Sequence, residues 1–123
     1  MAYNPLRGPD PKRWNWLGED ERLAQVLAFH KRSQVKLPNA HLHAIMHVVV
    51  ENQLAEGYEA AARALDRLLS QGLDRHEAVH AIAWVFSQHV HDVVKQQSPA
   101  FDREAYAGAL EGLSAESWKK DAG

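Results

Sequence analysis

Between Glu19 and Pro99 the apolar residues return at intervals of three and four, in runs punctuated by glycine or proline. A repeat near 3.6 lays one apolar stripe along a helix and is incompatible with the two-residue alternation of a half-buried strand. Leu23, Val26, Leu27 and His30 share a face over 19–34, and Glu19, Asp20 and Glu21 suit the positive end of that helix dipole. Pro38 and Asn39 supply the next start signal. Leu42, Ile45, Met46, Val49 and Gln53 then follow one face until Gly57, which predicts a second helix over 40–56. Val48, Val49 and Val50 favour a strand locally, but the longer period and the flanking signals outweigh them. Ala61, Ala64, Leu65, Leu68 and Leu69 mark a third helix over 58–71, ended by Gly72 with Leu73 placed for a contact across the helix end. Asp74 opens the longest helix, 75–97, whose stripe is Val79, Ile82, Ala83, Phe86, Val90 and Val93. Two shorter helices are expected near 102–112 and 115–121. The expected fold class is therefore all-α, a compact helical bundle of four to six helices with short, antiparallel connections.

Residues 1–18 depart from this pattern. Pro5, Gly8, Pro9 and Pro11 cluster there with Trp14 and Trp16, which predicts an extended N-terminal arm anchored by its indoles. Residues 19–123 are expected to form a single helical domain, for which 123 residues with 46% hydrophobic content suffice without a staple. The N-terminus lacks the charged-then-apolar order of a secretory signal, and the most apolar stretch, 44–50, is far short of the ~20 residues that cross a bilayer. A cytoplasmic protein with no membrane partner is expected. A net charge of −2 provides no general attraction to nucleic acid. The pair Lys31-Arg32 is read as solvated helix surface.

Cysteine is absent, so disulfides, thiolate ligands and cysteine nucleophiles are excluded together, and a tight metal site must use His, Asp or Glu. Eight histidines are present. His43 and His47 are four apart on the second predicted helix; His76 and His80 are four apart on the fourth. Residues at this spacing stack on one helix face and can offer two imidazoles to one ion. Random placement gives about half an i, i+4 histidine pair and about 0.04 copies of H-E-x-x-H, so two pairs and the full His76-Glu77-Ala78-Val79-His80 string exceed chance. Glu51 continues the His43, His47 series at i+8, within about 80° of the same direction. If the two helices pack together, His43, His47, His76, His80 and Glu51 form a candidate metal site. Imidazole ligands favour copper, nickel or zinc over magnesium; zinc is the first expectation, with nickel, copper and iron as alternatives. His30 is either a further contributor or a core-edge residue. His41, His89 and His91 are read as solvated surface.

Over five residues the string resembles the zincin metallopeptidases, which would make Glu77 the candidate catalytic base acting on a metal-bound water. Asp74 and Glu77 also read as a helix capping box, which accounts for Glu77 without catalysis. The longer metzincin pattern requires glycine and histidine where this chain has Ala83 and Phe86. A di-iron carboxylate bundle needs two E-x-x-H motifs, and only Glu77-x-x-His80 is present.

The segments Leu42-His43-Ala44-Ile45-Met46-His47, Glu51-Asn52-Gln53 and Gly72-Leu73-Asp74-Arg75-His76-Glu77-Ala78-Val79-His80-Ala81 together resemble paired signatures of a family of small uncharacterised bacterial proteins, a domain of unknown function. The resemblance spans about residues 40 to 97; it implies a helical fold and a metal site and no particular reaction. Hydrolysis at such a site is one reading. The alternative is a metal-independent protein-interaction module with structural histidines. A homo-oligomer remains open. The helix-turn-helix look of 58–97 is set aside, because Glu77 and the acidic balance oppose phosphate binding.

Overall fold

The computed structural model describes residues 3–32, 40–96 and 101–122, and among them the fold is all-α, with no strand. In chain order the helices are α1 (Pro11–Trp16), α2 (Glu19–Arg32), α3 (Ala40–Ala55), α4 (Glu59–Ser70), α5 (Arg75–Gln96), α6 (Arg103–Glu111) and α7 (Ala115–Ala122). Six of these lie where the periodicity predicts them, including α3 across its three valines. The start signal at Pro38-Asn39, the stop at Pro99, and the side chains of Lys31, Arg32 and His41 lie outside the described residues.

The remaining helix, α1, falls within the segment expected to be an extended arm, whose residues 3–10 are not helical. Pro11 occupies the first turn of α1, where proline's missing N–H is no loss and its fixed φ is pre-set for a helix. Only one of the two indoles anchors it. Trp14 is buried and its Nε1 donates to Asn52 Oδ1 at 2.8 Å, whereas Trp16 is 84% exposed.

The helix ends follow from local chemistry. Gly57 and Gly72 adopt φ of +77° and +98°, a region that costs glycine nothing, and turn the chain out of α3 and α4. After Gly72, the Leu73 N–H donates back to Leu68 O at 3.2 Å and the leucine side chain drops into the core. Asp74 then caps α5, its Oδ1 accepting from the Glu77 N–H at 2.8 Å.

Two apolar clusters result. The larger joins Val50 of α3 with Ala61, Ala64 and Leu68 of α4, Val79 and Ile82 of α5, and Tyr106 and Leu110 of α6. The smaller gathers Tyr3, Trp14, Val26, Ala44 and Val48. Helix α3 belongs to both and packs on α1, α2, α4 and α5. This central position overturns the expected stripe of α3. Leu42 and Ile45 are 49% and 38% exposed, while His47 and Glu51 are each 1% exposed. A helix enclosed on several sides buries polar residues too, provided each finds partners.

Candidate metal centre

The partners converge where α2, α3 and α5 meet. His30 descends from α2, His43 and His47 from α3, His76 and His80 from the first two turns of α5. One ring nitrogen from each of the five lies within 4.8 Å of every other. Nitrogens ~2.0–2.1 Å from an ion stand about 3.3 Å apart in a tetrahedron and about 4.2 Å apart when trans, so the group is within a small contraction of a coordination sphere. The structure thus brings together the four histidines singled out from the sequence and adds His30.

Proton chemistry alone satisfies this arrangement poorly. His80 Nε2 stands 3.1 Å from His43 Nε2 and 2.9 Å from His47 Nε2. A neutral imidazole nitrogen carries either one in-plane proton or one lone pair, so His80 can make a good bond to one of these neighbours and confronts the other without a complement. His76 Nε2 is buried and lacks a hydrogen-bond partner. A cation among the rings would complement every lone pair at once, and the residues present fit one.

The surroundings prepare the rings as ligands. Burial holds His43 down at about 4 and His80 at about 3, with the neighbouring imidazoles adding to the effect. His47 and His76 are also lowered, first by burial and then by nearby histidines. Near neutrality these four are uncharged and their lone pairs are available. Two proton positions follow from the hydrogen bonds. His30 Nδ1 lies 2.9 Å from Val26 O, an acceptor only, so Nδ1 carries a proton and Nε2 is the atom turned to the cluster. The Tyr3 hydroxyl donates to Glu51 Oε2 at 2.6 Å, so towards His47 Nδ1, 3.1 Å away, its oxygen accepts. His47 therefore holds its proton on Nδ1 and presents a bare Nε2 to the cluster. Carbonyl and carboxylate-linked partners of this kind orient ligating histidines.

Glu51 sits beside the cluster but is not part of the five-nitrogen group. Arg75 Nη1 donates to its Oε2 at 2.8 Å and Nη2 to its Oε1 at 2.7 Å, a bidentate pair, and Tyr3 takes Oε2 as well. Its i+8 position brings it near the histidine side of α3, and Arg75, immediately before His76, donates to both oxygens. In this arrangement the carboxylate is linked to His47 through the Tyr3 hydroxyl. Arg75 also donates to Pro5 O at 2.9 Å, which ties the N-terminal residues to the same network.

Glu77 faces solvent, about 100° around the helix from His76, and its backbone N–H serves the Asp74 cap. It is not among the converging groups. His89 is half-buried, its Nδ1 donating to Val85 O at 3.0 Å and its ring lying near Phe101 and Tyr106; His91 is exposed. His30 and Tyr3 are the members that spacing did not reveal. His30 has no histidine partner on its own helix, and its signal was its place on the stripe of Val26 and Leu27. Tyr3 gave none.

Compared with protein-family models, curated proteins and solved structures, the chain matches none. No described helix is long and apolar enough to cross a membrane.

Proposed function

We propose that this chain is a metal-binding helical protein, its ion a divalent first-row transition metal held among His30, His43, His47, His76 and His80. The observation that supports this most directly is His80 Nε2 facing two other ring nitrogens at 2.9 and 3.1 Å in a partly buried cluster. Three like groups pointed at one another are costly without a cation and favourable with one. Four imidazoles would close a tetrahedral zinc. A fifth suits an ion that takes five or six ligands, so nickel and iron stand beside zinc and copper as candidates.

A peptidase role finds less support. Glu77 is turned away, and Glu51 is neutralised by Arg75, which leaves neither carboxylate positioned as a general base in this arrangement. Element analysis of protein purified without an affinity tag tests the proposal. About one transition-metal ion per chain is expected, lost in His47→Ala and His80→Ala. Protein that is metal-free at neutral pH, and whose melting temperature no added zinc, nickel, copper or iron raises, would exclude it.

A further inference from the structure

A cavity of about 370 Å³ leads from the surface to one side of the cluster. His43, His47 and His80 line it, while His30 and His76 stand away from it against the ring of Phe29, at centroid distances of 5.3 and 5.6 Å. The remaining walls include Leu42 and Met46 of α3, Ala83 and Trp84 of α5 and Trp118 of α7. The same packing that turned His47 and Glu51 inward left Leu42 half exposed here, and Trp84 is 40% exposed. Among the described residues, no Lys, Arg, Asp or Glu lines the cavity. Its one hydroxyl, on Ser87, already donates to Trp84 O at 2.9 Å.

The charge balance specifies what such a cavity would take. An imidazole binds an ion through a lone pair and adds no charge, and the nearest buried carboxylate, Glu51, is matched by Arg75. A divalent ion held there keeps its full charge in a partly desolvated setting, where an anionic donor is strongly favoured over a neutral one. The indole and aliphatic walls accept a hydrophobic body, and among the described residues they supply no second cation for another charge. Resting on the metal-binding proposal above, we infer that the cavity admits a small apolar monoanion, a carboxylate with an aromatic or short aliphatic body, whose oxygen reaches the ion from the His43–His80 side.

The experiment loads the metal-free protein with Co2+, whose visible bands report its coordination, and titrates benzoate, acetate and benzamide in turn. Benzoate is expected to shift the bands and to bind about tenfold or more tighter than acetate, because its ring buries more apolar surface. Benzamide, with the same body and no charge, should bind at least about tenfold more weakly than benzoate. Trp84→Ala should weaken benzoate about fivefold and leave acetate unchanged. Bands that form with Co2+ but do not respond to benzoate would overturn the inference while the metal site stands. So would benzoate binding of equal strength to the metal-free protein, followed by tryptophan fluorescence. Failure of Co2+ to bind would remove the metal site and this inference with it.

Discussion

Tyr3→Phe is the sharpest probe of how the cluster is supported. The substitution keeps a ring that lies 5.7 Å from Trp14 and 6.1 Å from Phe29 between centroids, and it removes one oxygen. That oxygen holds Glu51 Oε2 at 2.6 Å and His47 Nδ1 at 3.1 Å. Glu51 retains both bonds from Arg75, so on its side the loss is one hydrogen bond to a charged group, about 1.5–3 kcal/mol. On the other side a buried imidazole N–H loses its acceptor, about 1–3 kcal/mol. Both contacts share one atom and do not simply add, so a total of about 2–4 kcal/mol is expected. Metal affinity should fall about 10- to 100-fold, since His47 is no longer held in the tautomer that bares Nε2. Urea unfolding in excess chelator measures the first effect, and competition with a chromophoric chelator measures the second. A variant within about 0.5 kcal/mol of the parent in chelator, with unchanged metal affinity, would show that the Tyr3 link stabilises neither the fold nor the ring orientation.

Other outcomes follow from the same geometry. Glu77→Gln should leave metal uptake unchanged, whereas Asp74→Ala should cost about 1 kcal/mol in urea unfolding through loss of the α5 cap. Arg75→Met leaves Glu51, 1% exposed, as an uncompensated buried charge and should destabilise by about 3–5 kcal/mol, read from the same unfolding curves. The metal-free protein should lose stability as pH falls. His43 and His80 titrate near 4 and 3 in the fold against 6.5 when unfolded, so between those values the unfolded chain binds more protons. The slope should approach ~1.4 kcal/mol per pH unit for His80, and less for the more exposed His43, where water screens the effect. Above pH 7 their contribution should be flat, and a decline in that range would contradict the assignment. Chelator-treated and metal-loaded samples should differ in melting temperature by an amount that grows with free metal concentration, as linkage requires.

Much of the fold was legible because helices announce themselves locally. The 3.6 period, Gly57 and Gly72 at positive φ, and Asp74 as a cap are properties of short segments, and they placed six helices close to their observed ends. The two histidine pairs were legible for the same reason. What failed needed tertiary information. Which face of α3 turns inward was misjudged, because Leu42 and Ile45 outrank His47 and Glu51 in hydrophobicity but not in the partners that α2, α5 and Tyr3 bring. Spacing put Glu51 with the histidines, and its pairing with Arg75, 24 residues away, could not be read from the helix on which it lies. The prolines before Trp14 suggested extended chain, although Pro11 directly after Asp10 is also how a helix begins.

The meeting of three helices at one point has a topological meaning for a chain that contains no cysteine. His43 and His80 are 37 residues apart in sequence, and a bound ion would fasten them as a disulfide fastens two thiols. A permanent cross-link closing a loop of that size would restrict the unfolded chain by about 4 kcal/mol in the chain-entropy picture. A coordination bond differs in letting go. On unfolding the ion departs and the loop opens, so the strength of the clasp is set by the surrounding metal concentration rather than by redox potential. Where metal is scarce, α2, α3 and α5 would be held by packing alone, and the crowded imidazoles that an ion would join become the part of the bundle most disposed to part.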